Sequence, residues 1–457
     1  MIWRSARPSL VVGRDRGIKT ATRRPTINVS VNRLAAPGQQ GSGMDESADG
    51  GRVGVIEGPV VLVPRFQHYE WGDPTFIPNL LGLPKTDKPY AEAWIGAHPQ
   101  LPAIARVAGS EMPLDRLVTQ YAESILGHDI RTHFGELPYL VKVIATAHPL
   151  SIQVHPTRAL ALAGFERESA DGIALDAPER SFRDKNAKPE LLIALTEFEA
   201  LCGFRPLPEI GAVLAQTPEL AAVLPTWNGT PDSLKALVCC YLRLPDEHLL
   251  PALSQWIDRL GRKVPERGTR EHWILEYDRL FSAPHGRDRG LFLLCLLNLV
   301  RLKPWQAIFI PCGSPHSYLR GAGIEVMANS DNVVRAGLTP KHVDREQLLT
   351  LLEFDGSLVS VLRPERGAGS WSYPCPHAEF MVRRMDLQAG QESPLLSACG
   401  PEVLLFLCQQ PGETCSVRAG SAGIELGNGA SCLMPHGLRY RLAARAPTNV
   451  IRVSTKC

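Results

Sequence analysis

The chain has no Cys-x-x-Cys pair, although it carries 11 cysteines in its 457 residues. Scattered thiols in odd number argue against a zinc-thiolate site or a disulfide framework. They fit buried or idle thiols in a reducing compartment, and so a cytoplasmic protein. An apolar run of membrane-spanning length is also missing: LFLLCLLNLV, residues 291–300, is the greasiest stretch and is too short, so no membrane association is expected. Tandem repeats of 20–50 residues are absent, which removes repeat architectures. Beyond residue 43 there is no basic excess, with 41 Arg and Lys against 46 Asp and Glu, and hence no surface suited to nucleic acid.

Residues 1–43 differ, with eight Arg or Lys against a single acid, Asp15. They lack the apolar core of a secretory signal. A transit peptide, a flexible basic tail and translation from Met44 all fit this composition; a disordered or spurious extension is the favoured expectation. Residues 35–52 are rich in Gly, Ser and Ala and read as linker.

The length points to several domains, and 38 Pro with 39 Gly favour many turns. Short apolar runs alternate with Pro/Gly turns from Val53 to Pro102. Spaced apolar residues over 111–127 read as a helix. LPYLVKVIATAHPLSIQVHP then reads as two strands about a turn near His148-Pro149. Residues 206–300 carry apolar residues at helical spacing and predict an insertion of four or more helices. Thr339-Pro340 offers an N-cap and first-turn pair for a helix through Leu352. From residue 357 short strands return. The expected class is mainly β with a helical insertion: a cupin or jelly-roll barrel core, an all-α insertion and a second jelly-roll-like β-domain. The expected division is 1–52 extension and linker, 53–205 and 301–356 catalytic barrel, 206–300 helical insertion and 357–457 C-terminal β-domain.

Two short stretches are anomalous for a core. LSIQVHP, 150–156, sets Gln153 and His155 two apart in an apolar strand, so both side chains point to one face. Buried polar groups need partners. PCGSPH, 311–316, reads P-x-G-x-x-H at the end of an apolar strand, and its turn would aim His316 inward. The two together resemble the two-part metal motif of cupins, with Gln153 in place of the first histidine. Glu190, at the start of the strand in KNAKPELLIAL, is the carboxylate candidate. Gln153, His155, Glu190 and His316 would form a site of two imidazoles, one carboxylate and one amide oxygen. That set suits Zn²⁺, with Mn²⁺, Fe²⁺ and Co²⁺ as chemical competitors. Residues 323–341 pack Glu325, Asn329, Asp331, Asn332, Arg335 and Lys341 into a polar run: Arg335, Lys341 and free backbone N–H groups are what an anionic, phosphate-sized group requires, and Glu325, if strand-borne near a metal, could transfer a proton.

With these motifs stands a wider resemblance. YEWGDP (69–74), YAEAWIGAHP (90–99), LPYLVKV (137–143), NAKPELLIALTEFEALCGFRP (186–206), GLFLLCLLNLVRLKP (290–304) and IPCGSPHSYLRGAGIEVMANSDNVVRAGLTPK (310–341) resemble the type I phosphomannose isomerases, zinc enzymes of the cupin superfamily. The resemblance implies one Zn²⁺ per chain on Gln153, His155, Glu190 and His316. It also implies active-site roles for Ser151, Lys188, Glu325, Arg335 and Lys341, and a sugar-phosphate substrate. On this reading Glu325 is the first candidate for a proton shuttle and Lys188 the second. Arg335 stabilises an anionic intermediate or holds phosphate, while Ser151 and Lys341 position the substrate. Mannose 6-phosphate and fructose 6-phosphate are the expected pair, in carbohydrate metabolism leading to GDP-mannose, and the expected state is a monomer. A metal-dependent dioxygenase and an inactive sugar-phosphate-binding cupin are the alternatives. The chain departs from the family at Trp305, where glycine is usual, and at Cys312-Gly313, which replaces an Ala-containing turn.

Overall fold

The computed structural model describes residues 55–107, 109–282, 286–367, 369–410 and 412–456. The expected extension and linker at 1–52 lies outside the described residues. The fold is mainly β with a helical insertion, built from antiparallel sheets.

One strand, His316–Ala328, is the spine of the first part. Along its length it pairs with Ile152–Val154, Phe198–Phe204, Tyr139–Thr146 and Glu190–Ala194, all antiparallel. Tyr139–Thr146 is buried at every position and passes the pairing on to Glu92–Gly96. Such a fully buried strand does not alternate, so only its apolar content marks it in sequence. Midway along the spine, Gly321 has φ 124°, and a Cβ there would lie 2.6 Å from the Glu197 carbonyl oxygen. Only glycine tolerates both the backbone and the approach.

The helical run occupies Leu207–Leu296, ending short of residue 300. The greasy segment divides: Gly290–Leu296 is helical, and Leu297–Leu302 is a strand paired with Phe198–Phe204. Local caps explain the helix starts. Thr230 and Ser233 form a capping box ahead of Pro231–Arg243, and Thr269 accepts the His272 N–H ahead of Arg270–Phe281. These helices bury Leu234, Tyr241, Leu253, Trp256 and Phe292 in one apolar core with Ile152 and Val154 of the barrel.

Three readings of local structure are corrected. Residues 111–127 form two short helices, Leu114–Gln120 and Ala122–Leu126, after a strand, Ser110–Pro113. The helix after the polar run starts at Arg345 with Asp344 as its cap, whose Oδ1 accepts the Gln347 N–H at 2.9 Å. Thr339 instead closes a local turn, its hydroxyl accepting the Lys341 N–H at 3.1 Å. The C-terminal sheet also draws strands from the other end of the chain: Val60–Val63 pairs with Ser431–Met434 and with Ile104–Val107. A division at residue 357 misses this, because pairing across some 370 positions leaves no mark on either strand.

The two parts share a core and a few buried polar links. The Tyr139 hydroxyl lies 2.9 Å from the carbonyls of both Pro401 and Val453. Trp305, at the position where glycine is usual, has φ 70°. That left-handed backbone is costly for a bulky residue. The Arg384 guanidinium, 4.5 Å from its ring, and the Tyr373 hydroxyl, donating to its carbonyl at 3.1 Å, hold the turn against the C-terminal part.

Candidate active site and metal centre

His155, Glu190 and His316 converge inside the barrel, with one ligand atom from each within 4.8 Å of the others. All three are buried, at 1–4% exposure. Glu190 opens the Glu190–Ala194 strand, His316 opens the spine, and His155 directly follows Ile152–Val154. The Gly313 N–H donates to the His155 carbonyl at 2.8 Å, tying the two halves of the motif together. Gly313 has φ 81°, and a Cβ would meet the Leu351 carbonyl at 2.9 Å, so this turn requires glycine.

The hydrogen bonds set both imidazole tautomers. His155 Nδ1 is 2.8 Å from the Asn332 carbonyl, and His316 Nδ1 is 3.0 Å from that of Ser314. A carbonyl only accepts, so Nδ1 carries the proton in each ring. The lone pair then sits on Nε2, facing Glu190 at 3.2 Å from His155 and 3.3 Å from His316. Gln153 stands beside His316 in register across the strands and lines the same cavity.

Charge is concentrated here. Lys188 Nζ lies 3.1 Å from Glu190 and 3.3 Å from His155 Nε2. Burial would push the Glu190 carboxyl up, but the Lys188 ammonium beside it holds it well below the carboxylate range. Burial, aided by Lys188, drives His155 down to about 3, so its ring is neutral near pH 7. A neutral imidazole beside an ionised carboxylate is the state that a divalent cation needs. The pocket already draws in one cation, the Lys188 ammonium.

Beside the cluster lies a cavity of about 70 Å³. The same cavity is lined by a second buried ionic group. Lys142 Nζ is 3.0 Å from Glu325 and 3.9 Å from Glu92, while the Tyr318 hydroxyl donates to Glu325 at 2.8 Å. Trp94 donates to Glu92 at 2.7 Å. Burial would lower Lys142, but Glu325 and Glu92 outweigh it and hold the ammonium above its ordinary value. Burial raises Glu92 against the pull of Lys142.

His316 and Glu325 are nine positions apart, an odd spacing that strict alternation would send to opposite faces. The register of the spine shifts between Tyr318 and Arg320, which reverses the parity. His316, Tyr318 and Glu325 therefore line one cavity.

Ser151, Arg335 and Lys341 do not line this cavity. Ser151 precedes the Ile152–Val154 strand. Arg335 lies on Val334–Gly337, in register with Gln153 on the side away from His316. The Lys341 ammonium sits 5.6 Å from the centre of the Tyr69 ring. Burial, then the nearby Arg183, lowers the Arg335 guanidinium. Among the described residues no carboxylate lies within 4.0 Å of Arg183, Arg335 or Lys341. Like charges gathered with no carboxylate in contact suit an anion.

Sequence reasoning passed over Lys142, Glu92, Tyr318 and Arg183. Lys142 had a signal, since it stands alone in the apolar run PYLVKVIAT. Glu92 and Tyr318 had none beyond their positions on strands.

The family model "Phosphomannose isomerase type I, catalytic domain" matches residues 60–207. The chain is 34% identical to the mannose-6-phosphate isomerase of Escherichia coli over 380 residues, 79% of this chain and 95% of that protein. It is 36% identical to that of Rattus norvegicus over 287 residues, 59% of this chain and 65% of the relative. A crystal structure of mannose 6-phosphate isomerase from Salmonella typhimurium, bound to substrate (f6p) and zinc, superposes with a TM-score of 0.76 at 32% identity. The match covers 87% of this chain and all of that one. A holo, zinc-bound mannose 6-phosphate isomerase gives a TM-score of 0.74 at 32% identity over the same shares. With these likenesses spanning nearly the full length of the bacterial relatives, the chain belongs to the type I phosphomannose isomerase family.

Proposed function

We propose that the protein interconverts D-mannose 6-phosphate and D-fructose 6-phosphate, with a zinc ion held by Gln153, His155, Glu190 and His316. The observation that carries this reading is the buried cluster of His155, Glu190 and His316, of which Glu190 and His316 line one cavity with the Lys142–Glu325 pair. Family membership and a relative with zinc and f6p bound support it.

The donor set fits the ion. Two imidazoles present bare Nε2 atoms, Glu190 is held ionised, and Gln153 offers an amide oxygen from the same wall. When bound, zinc supplies a Lewis acid that polarises oxygens of the sugar.

The chain's own groups do the rest. Isomerisation removes a proton from the carbon next to a carbonyl and returns it to the neighbouring carbon. Glu325 is the first candidate for this shuttle: it is 3% exposed, held by Lys142 and Tyr318, and lines the cavity. Lys188 is the second candidate for the proton transfer, and its ammonium stands beside the ligand atoms. Fixed cationic donors aimed at a developing enediolate need no reorganisation as charge grows. Arg335, on the strand next to Gln153, serves with Lys341 and Ser151 to orient the phosphate end.

Among the described residues no helix is long and apolar enough to cross a membrane. A monomer acting in the cytoplasm, on the route to GDP-mannose, belongs to the same proposal. The test is an anaerobic coupled assay for fructose 6-phosphate from mannose 6-phosphate. Turnover is expected with zinc and not after chelation. No turnover in zinc-loaded protein, or O₂ uptake with an iron-loaded one, would refute the reading.

A further inference from the structure

The most densely bonded side chain near the site belongs to a residue outside the ligand set. Asn332 is fully buried, and every polar atom it has is engaged. Its Oδ1 accepts the Arg183 N–H at 2.7 Å and the Asp184 N–H at 3.1 Å. Its Nδ2 lies 2.9 Å from the carbonyls of Asp184 and Asn186, and 3.0 Å from Asp184 Oδ1. Its own carbonyl is the acceptor that places the His155 proton on Nδ1.

Asp184 completes the clasp from the other side. Its carboxylate accepts the Asp331 N–H at 2.7 Å, the Asn186 N–H at 2.9 Å and the Ser330 hydroxyl at 2.9 Å. The Val333 N–H donates to the Ser181 carbonyl at 3.2 Å, so 181–184 and 330–333 are laced together. One segment leads on to Lys188 and Glu190, and the other to Arg335.

We propose that Asn332, locked by Asp184, is a positioning residue that couples the metal ligand His155 to the cationic limb carrying Arg183 and Arg335. The clasp fixes the orientation of the Asn332 carbonyl, and with it the direction of His155 Nε2. It also sets the spacing between the ligands and the cations that meet the phosphate. Outer partners of ligating histidines act this way on metal affinity. The inference rests on the zinc reading above.

The test titrates metal-free protein with Zn²⁺ against a competing chelator, comparing wild type with Asn332→Ala and Asp184→Asn. A Thr230→Ala variant, in the helical insertion, serves as a destabilised control. The Zn²⁺ dissociation constant is expected to rise about 10–100-fold in both clasp variants and to stay within twofold in the control. In zinc-saturated protein KM for mannose 6-phosphate should rise in the clasp variants and not in the control. A purely structural role would move neither value. Affinity within twofold of wild type in either folded clasp variant overturns the proposal. Should neither variant fold, the ¹⁵N-histidine spectrum of the wild type decides: a proton on His155 Nδ1 in the metal-free protein supports the clasp, and one on Nε2 overturns it. A wild type that binds no Zn²⁺ refutes the metal reading itself, a result distinct from zinc binding that the clasp variants leave unchanged.

Discussion

Replacing Lys142 with methionine tests the buried ionic wall of the cavity. Lys142 is 5% exposed, its ammonium between Glu325 at 3.0 Å and Glu92 at 3.9 Å. At an effective dielectric of about 20, the nearer contact alone amounts to roughly 5 kcal/mol of attraction, set against the cost of desolvating both ions. Methionine keeps the length and removes the charge, leaving two carboxylates buried together without a cation. Removing one partner of a buried pair costs about 3–5 kcal/mol, and that loss is the expectation at pH 8. The deficit depends on pH with a definite sign. Lys142 is what opposes the upward push of burial on Glu92, so its loss drives that carboxyl higher still. A carboxyl raised in the folded state binds its proton there before the unfolded chain does, so its contribution is present at low pH and lost as pH rises. The variant should thus be close to wild type near pH 5 and poorest above pH 7. Denaturant unfolding of zinc-loaded protein at both pH values measures this, and kcat should fall about 10²–10⁴-fold in parallel. Adding Glu325→Gln should recover part of the stability and none of the activity. A loss below 1 kcal/mol at pH 8, or the same loss at both pH values, would refute the reasoning.

Three further outcomes are expected. Glu325→Gln should retain its zinc by metal analysis while kcat drops about 10²–10⁴-fold, and an unchanged kcat would remove Glu325 from the proton transfer. Arg183→Ala should raise KM for the sugar phosphate about tenfold, the ordinary worth of one charged hydrogen bond, with zinc content unchanged; an unaltered KM places the phosphate elsewhere. His98, pushed down to about 4 by burial, stays neutral when folded while the unfolded chain takes up a proton near pH 6.5. Metal-free protein should therefore lose stability as pH falls from about 6.5 to 4, by up to about 3 kcal/mol from this group, and His98→Gln should flatten that slope in acid unfolding curves.

The ligand candidates were legible because polar side chains broke apolar strands: Gln153 and His155 share one face, and His316 ends a Pro/Gly turn. Lys142 broke a strand in the same way, yet a single Lys in a strand usually marks an edge, and its two carboxylate partners lie 50 and 183 positions away. The shared face of His316 and Glu325 was hidden, since it depends on a register shift that no periodicity reveals. The helical insertion was readable from spacing, but its end was not, because LFLLCLLNLV is equally apolar as helix and as buried strand. Trp305 was visible as a departure. Its meaning, a left-handed backbone held by the C-terminal part, emerges only from the fold.

The most direct measurement is metal binding itself, by Co²⁺ or Zn²⁺ titration of the chelated protein with the ion counted per chain. One ion per chain is predicted for the wild type, and loss of that ion in both His316→Ala and Glu190→Gln, with the fold intact by circular dichroism. Full metal content with full isomerase activity in either variant would contradict the assignment of this cluster as the catalytic metal centre.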